Sequence, residues 1–353
     1  MALAERINAF IKLGDFLKQF EIANPVPNKN IPFNDVFFDG MLHQLKLTEE
    51  NNRWFSKENL QFAIQNWAKA LRKENLENWT NRYEFDAVLP KKVAIIMAGN
   101  IPLVGFHDFL SVLISGHEVL VKQSSNDKHL LPYLAKYLEY IDPYFKGKIT
   151  FTDEKIEGFD AVIATGSNNT ARYFEYYFKD KPNIIRKNRN SVAILTGNET
   201  EEQLIALSDD IFTYYGLGCR SVSKLFVPKN YDFQAFFKGM YGKSDIMNSA
   251  KYANNYDYNK AVYLMSLFDI LENGFVMIKE DTQYASPIAT VFYEYYEDLD
   301  SLQEKLRKDA ENIQCIVADL NVPNEITFGK TQHPELQDYA DDVDTLEFLI
   351  NLS

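Results

Sequence analysis

Between Lys92 and Leu195 the chain alternates short apolar runs with longer amphipathic stretches, and this rhythm restricts the fold more than any other feature. The runs are Lys92-Val93-Ala94-Ile95-Ile96-Met97, Glu118-Val119-Leu120-Val121, Ile149-Thr150-Phe151, Asp160-Ala161-Val162-Ile163-Ala164 and Ser191-Val192-Ala193-Ile194-Leu195. Short apolar runs without polar alternation fit strands buried on both faces. Helical stretches from about Leu103 to Ile114 and from about Lys128 to Ile141 fall between them. Parallel neighbours need a crossover, so this order predicts an α/β chain with a mostly parallel, doubly wound sheet. Sheets of this kind take ligands at the carboxyl ends of their strands.

The flanks read differently. Ile7, Phe10, Ile11, Leu17 and Phe20 recur at helical spacing until Asn24-Pro25 ends the segment. Ser56 is placed to cap a second helix with the stripe Leu60, Ile64, Trp67 and Leu71. Further on, Asn198-Glu199-Thr200 opens a helix that runs into Gly216-Leu217-Gly218-Cys219-Arg220, and Lys224-Leu225-Phe226-Val227-Pro228 reads as a strand. Residues 240–280 are rich in Tyr and Asn and give no clear period. Val291-Phe292-Tyr293 and Ile316-Val317-Ala318 read as strands around a helix from Leu299 to Ile313.

With 353 residues, two domains are expected. Lys and Arg total 37 against 50 Asp and Glu, a net charge of −13, which leaves no basic footprint for nucleic acid. Two cysteines, Cys219 and Cys315, exclude a disulfide-dense scaffold and a four-cysteine zinc site, and the five histidines show no metal spacing. The start Met1-Ala2-Leu3-Ala4-Glu5-Arg6 has no signal-peptide pattern, and no apolar run is long enough for a membrane span. A cytoplasmic setting with both thiols reduced is the expectation. Aromatic residues make up 14%, with 26 Phe and 21 Tyr, which suits an aromatic core or an apolar ligand pocket.

Three loops hold chemistry-bearing residues. Cys219 follows Gly-Leu-Gly and precedes Arg220 and Ser221; a cysteine there is either a small core residue or a nucleophile activated beside a cation. Cys315 reads as a core thiol. In Met97-Ala98-Gly99-Asn100-Ile101-Pro102-Leu103, Asn100 is either a turn residue or a donor to an oxyanion. Ala164-Thr165-Gly166-Ser167 places small residues between a strand and a helix, where a dinucleotide can lie close. His107 reads as structural, and the basic cluster Arg186, Lys187 and Arg189 as a solvated turn or a phosphate contact.

Taken in order, the strand before Ala98-Gly99-Asn100-Ile101-Pro102-Leu103, the run Val119-Leu120-Val121-Lys122-Gln123-Ser124, the Ala164-Thr165-Gly166-Ser167 turn and the Gly216-Leu217-Gly218-Cys219 loop resemble the aldehyde dehydrogenase superfamily. In detail the chain resembles its LuxC-type acyl-CoA reductase branch. Asn52-Arg53-Trp54-Phe55, Phe328-Gly329-Lys330-Thr331-Gln332-His333-Pro334 and Asp344-Thr345-Leu346-Glu347-Phe348 support that branch, and the resemblance spans about residues 45–350. It implies an aldehyde-dehydrogenase-like fold: a Rossmann-type cofactor domain and an α/β catalytic domain, preceded by N-terminal helices. The expected domains are residues 1–195 with the helices and cofactor site, 196–335 with the nucleophilic cysteine, and a tail at 336–353.

The resemblance also implies roles. Cys219 matches the nucleophile, and Asn100 the side-chain oxyanion donor, with the Cys219 amide as companion. Lys122 matches the lysine that touches the cofactor ribose, and Ser124, Ser125, Thr165, Gly166 and Ser167 fall in the cofactor-binding turns. Ser125 stands where NAD-preferring relatives carry a Glu for the adenosine 2′-hydroxyl, so NADPH is the expected cofactor. Ser286-Pro287 resembles the end of a Phe-Gly-Pro motif, which puts Gln283 at a ribose-binding position. Where many relatives carry a Glu that activates water, this chain has Ile185 or Arg186.

The function implied is NADPH-dependent reduction of a long-chain acyl-CoA or acyl-ACP thioester to an aldehyde through an S-acyl-cysteine. The alternatives are an NAD-dependent aldehyde dehydrogenase and a noncatalytic nucleotide-binding or partner subunit. The resemblance further suggests a homo-oligomer, and the chain is short for the superfamily.

Overall fold

The computed structural model describes residues 1–322 and 325–352. The chain forms two compact units, Met1–Lys187 together with Glu335–Ser353, and Asn188–Pro334.

The first unit opens with helices α1 (Leu3–Lys18), α2 (Asn34–Asn51), α3 (Lys57–Ala70) and α4 (Lys73–Thr80). Ser56 caps α3 by accepting the Asn59 amide at 3.3 Å, as its position predicts. The chain then alternates β1 (Lys92–Ile96), α5 (Phe106–Ile114), β2 (Glu118–Lys122), α6 (Leu130–Ile141), β3 (Ile149–Phe151), β4 (Ala161–Thr165), α7 (Asn168–Phe178) and β5 (Asn183–Arg186). All pairings are parallel, in the order β3-β2-β1-β4-β5. The order reverses between β1 and β4, and sheets of this kind take ligands beside such a reversal, at the carboxyl ends of their strands.

Period-2 alternation divides the strands between two cores. Val93, Ile95, Val119, Val121, Ala161 and Ile163 join a large cluster with α1, α5 and α6, while Ala94, Leu120, Val162 and Ala164 face Phe159, Phe174 and Phe178. Much of the aromatic excess lies in the large cluster. Phe16 stacks on Tyr137 at 4.1 Å between ring centroids, and Phe37 meets the same ring edge-on at 5.1 Å. Each such fully buried ring contributes about 2–3 kcal/mol of apolar transfer. Gly14 lets α1 approach the end of α3, because a Cβ there would stand 2.8 Å from Leu71 Cβ.

The C-terminal segment completes this unit. Its helix Thr345–Ile350 packs against α5, and Tyr339 accepts the Trp79 indole N–H at 2.7 Å. Tyr83 donates to Asp344 at 2.6 Å. His107 Nε2 lies 2.9 Å from the Leu336 carbonyl, a structural contact.

The second unit contains β6 (Asn190–Ile194), α8 (Glu201–Phe212), β7 (Val222–Pro228), α9 (Phe233–Met240), α10 (Ala250–Met265), β8 (Ile270–Glu272), β9 (Met277–Glu280), β10 (Thr290–Tyr296), α11 (Leu299–Lys308), β11 (Ile313–Val317) and β12 (Glu325–Ile326). The sheet order among the described residues is β12-β11-β6-β7-β10-β9-β8, parallel throughout except for β8 against β9. The Ser191–Leu195 run, read with the first four strands, belongs to this second sheet as β6. The stretch without a readable period holds α10, whose buried face is Tyr252, Tyr256 and Tyr263 rather than aliphatic residues.

Candidate functional site

In the first unit the residues singled out in the sequence gather at the carboxyl ends of β1, β2 and β4. Asn100 is exposed on the turn after β1, Lys122 ends β2, Ser124 and Ser125 follow it, and Thr165 ends β4. Gly166 leads to Ser167, which caps α7 by accepting the Thr170 amide at 3.3 Å. The Lys122 ammonium donates to the Glu154 carbonyl at 3.0 Å.

These loops brace one another. A Cβ on Gly99 would lie 2.5 Å from Ser124 Oγ, so only glycine lets the β1 turn close onto the β2 loop. Asn51 and Asn52 donate to the carbonyls of Ser125 and Asn126 at 3.2 and 3.4 Å, which gives the Asn52-Arg53-Trp54-Phe55 motif a supporting role. Asp127, which no sequence motif marks, is buried and accepts the Leu103 amide at 2.7 Å. Burial pushes its carboxyl up to about 6, against the pull of that amide.

The basic cluster is engaged within the protein. Arg186 is buried, with Nη1 at 2.5 Å from Asp108 Oδ2 and Nη2 donating to the Thr345 hydroxyl at 3.0 Å. Lys187 pairs with Glu175 at 2.7 Å, and Arg189 donates to the carbonyls of Ala310 and Ile313. Arg186 is therefore held inside the protein rather than on a solvated turn, while Lys187 stays exposed. The tail motif Asp344-Thr345 thus serves to lock the end of β5 onto α5 and the C-terminal helix.

The second unit holds Cys219 and Gln283. Cys219 is exposed at the head of β7, while Cys315 is buried. The loop leading to it has left-handed backbone at Tyr214 (φ 55°) and Tyr215 (φ 58°), a conformation that bulky residues rarely adopt. The Ser221 amide donates to the Gly218 carbonyl at 3.0 Å, so Cys219 sits inside a closed turn. Ser191 donates to the Cys219 carbonyl at 2.9 Å, and Gln332 donates to Ser221 at 3.3 Å. Arg220 Nη1 donates to Cys315 Sγ at 3.4 Å, so a polar contact of this cation runs to the buried thiol.

The motif around Gln332 is itself anchored. Asp210 of α8, fully buried, accepts the Gly329 amide at 2.6 Å, the Thr331 amide at 3.0 Å and the Thr331 hydroxyl at 2.8 Å. Gln283 is exposed on a loop fixed on both sides. Lys224 and Ser223 donate to the carbonyls of Thr282 and Tyr284 at 2.9 and 2.8 Å, and Asp281 accepts the Gln283 amide. Among the described residues no group of three or more His, Cys, Asp or Glu is arranged to hold a metal ion, and no helix is long and apolar enough to cross a membrane.

A parallel sheet with helices, loops of small residues at its carboxyl edge and a second α/β unit with an exposed cysteine define an aldehyde-dehydrogenase-type fold. Solved structures agree. Aldehyde dehydrogenase 21 from Physcomitrella patens, in complex with succinate, superposes with a TM-score of 0.64 at 14% identity, over 91% of this chain and 74% of that one. A NAD-dependent benzaldehyde dehydrogenase from Corynebacterium glutamicum gives 0.63 at 13%, over 86% and 74%. The P. syringae indole-3-acetaldehyde dehydrogenase AldA, in complex with NAD+, gives 0.64 at 12%, over 92% and 78%. A comparison with curated proteins finds no match. The profile of the acyl-CoA reductase (LuxC) family matches residues 30–238, and the chain belongs to that family. It is therefore an oxidoreductase that acts at the acyl and aldehyde level.

Proposed function

We propose that the protein reduces a long-chain fatty acyl thioester, acyl-CoA or acyl-ACP, to the aldehyde with NADPH, through an S-acyl intermediate on Cys219. The carrying observation is that Cys219 is exposed on a braced turn while β5 ends in Ile185 and a buried Arg186 instead of a water-activating carboxylate. A nucleophile without a hydrolytic base suits exchange between thiols rather than release of a free acid.

In this reading the Cys219 thiolate attacks the thioester carbonyl. The Cys219 amide and the Asn100 side chain each hold the oxyanion, a role worth about 3 kcal/mol per donor. The C–S bond to the carrier breaks, the carrier leaves as its thiol, and the acyl group remains on Sγ. Reduced nicotinamide, when bound, supplies the hydride for this acyl carbonyl. Release of the aldehyde returns the Cys219 thiolate. The balance is acyl thioester plus NADPH plus a proton, giving aldehyde, NADP+ and the free carrier thiol.

The cofactor fits what stands at the carboxyl edge of the first sheet. The strand order reverses there, Gly99 and Gly166 keep the turns low, and Lys122, Ser124, Ser125, Thr165 and Ser167 supply polar groups. Ser125 carries no charge against a 2′-phosphate, which favours NADPH. Gln283 is the ribose contact in the second unit.

The test mixes protein, NADPH and long-chain acyl-CoA and follows NADPH absorbance. Loss of absorbance with aldehyde formation, abolished by Cys219→Ala, is expected. NADPH binding without turnover on any acyl thioester contradicts the proposal, and acid formation from aldehyde and NAD+ without CoA supports the oxidative alternative.

A further inference from the structure

We infer that Asp127 is a positioning residue for Asn100, holding the turn after β1 in the shape that presents its side-chain amide; this rests on the reading of Asn100 as an oxyanion donor. The turn runs from Gly99 to Leu103. Pro102 brings no N–H to it, and Leu103 sits at φ 56°, a left-handed backbone that a bulky residue rarely keeps without outside support. That support is Asp127 Oδ2, which takes the Leu103 amide at 2.7 Å in a buried setting.

Asp127 is fixed before it fixes anything else. Its amide donates to the Ser124 carbonyl at 3.1 Å, and its carbonyl accepts Gln123 Nε2 at 3.1 Å. Gly99 also packs closely on Ser124, so the β1 turn and the β2 loop share two separate contacts. Asp127 is 8% exposed, and Oδ1 has no hydrogen-bond partner. Burying a carboxylate with one oxygen unmet is costly for a purely structural loop, and such groups collect where a site needs a set geometry. Asn100 lies three positions before Leu103 on the exposed crest of the same turn, so a released Leu103 moves the Asn100 amide. A displacement near 1 Å is enough to lower a rate by about 100-fold.

The experiment measures single-turnover acylation of Cys219 by a saturated long-chain acyl-CoA, read by intact mass, with iodoacetamide labelling of Cys219 in parallel. Asp127→Ala is expected to slow acylation at saturation by about tenfold or more, with half-saturation within about twofold of wild type. Asp127→Asn retains an acceptor for Leu103 and is expected to stay within about threefold. Iodoacetamide labelling stays unchanged in both, because the nucleophile loop is untouched. Asn100→Ala slows acylation by about 100-fold, and adding Asp127→Ala to it brings no further loss. Should Asp127→Ala not accumulate folded, Asp127→Ser, whose hydroxyl is one bond too short to reach, takes its place with the same expectation.

Wild-type acylation in Asp127→Ala or Asp127→Ser overturns the inference, and so does an equal loss on the Asn100→Ala background. Wild-type acylation in Asn100→Ala instead removes the oxyanion reading itself, and with it the inference.

Discussion

The hydroxyl of Ser191, at the head of β6, donates to the carbonyl of Cys219 at 2.9 Å. The preceding peptide is fixed as well, since the Gly218 carbonyl accepts the Ser221 amide at 3.0 Å. Both peptides that flank the Cys219 side chain are therefore held, and the amide proposed as an oxyanion donor has one orientation.

Ser191→Ala removes one of these restraints. It is expected to destabilise the second unit by about 1 kcal/mol, the usual worth of a partly buried hydrogen bond. Cys219 acylation should slow several-fold. Urea unfolding and intact mass measure the two effects, and an unchanged acylation rate speaks against the restraint.

Asp210 organises the loop that brings Gln332 to Ser221. Asp210→Ala leaves the amides of Gly329 and Thr331 and the Thr331 hydroxyl without their acceptor. At about 1 kcal/mol for each, a loss of about 3 kcal/mol is expected, seen as an earlier urea midpoint. A midpoint equal to that of the wild type contradicts the anchoring role.

Acid sensitivity of the first unit should trace to His117. Its Nδ1 accepts the Lys91 amide at 3.0 Å, so the folded ring is neutral, with Nε2 2.9 Å from the Leu349 carbonyl. Burial holds the imidazole below its ordinary value, with the Leu349 carbonyl pulling the other way. Just below about pH 6.5 the unfolded chain therefore binds more protons than the folded one. The His117 contribution is whole above about pH 6.5 and is lost as pH falls towards the depressed folded value. Urea midpoints compared at neutral and mildly acid pH should drop further for the wild type than for His117→Gln. Equal drops would place the sensitivity elsewhere.

Much of the first sheet is legible in the sequence because β1, β2 and β4 are buried on both faces and read as apolar runs. β5 is hidden: Asn183-Ile184-Ile185-Arg186 has two apolar residues between polar ends. The sheet to which β6 belongs is not written in its own residues, since pairing depends on neighbours far along the chain. α10 escapes a hydrophobicity reading because tyrosines form its buried face; Tyr252 donates to the Phe275 carbonyl at 3.0 Å, and Tyr256 bonds to Glu272. The candidate residues are visible through motif order, but their supports are not. Asp127 and Asp210 look like surface acids until Leu103 and the Gly329-Thr331 loop are seen to bury them.

Cofactor choice should turn on Ser125. Ser125→Glu introduces a charge that repels a 2′-phosphate, and the NADPH KM is expected to rise at least about tenfold while NADH is little affected. Steady-state kinetics with both cofactors measure this, and equal shifts for the two would remove Ser125 from the adenosine site.

The proposed reaction passes through a covalent acyl-enzyme on Cys219. The most direct measurement is the intact mass of the protein after exposure to long-chain acyl-CoA, before and after NADPH is added. One acyl group per chain is predicted, absent in Cys219→Ala and discharged as aldehyde when NADPH arrives. An unmodified mass with acyl-CoAs of every chain length, or an adduct that persists in Cys219→Ala, contradicts it.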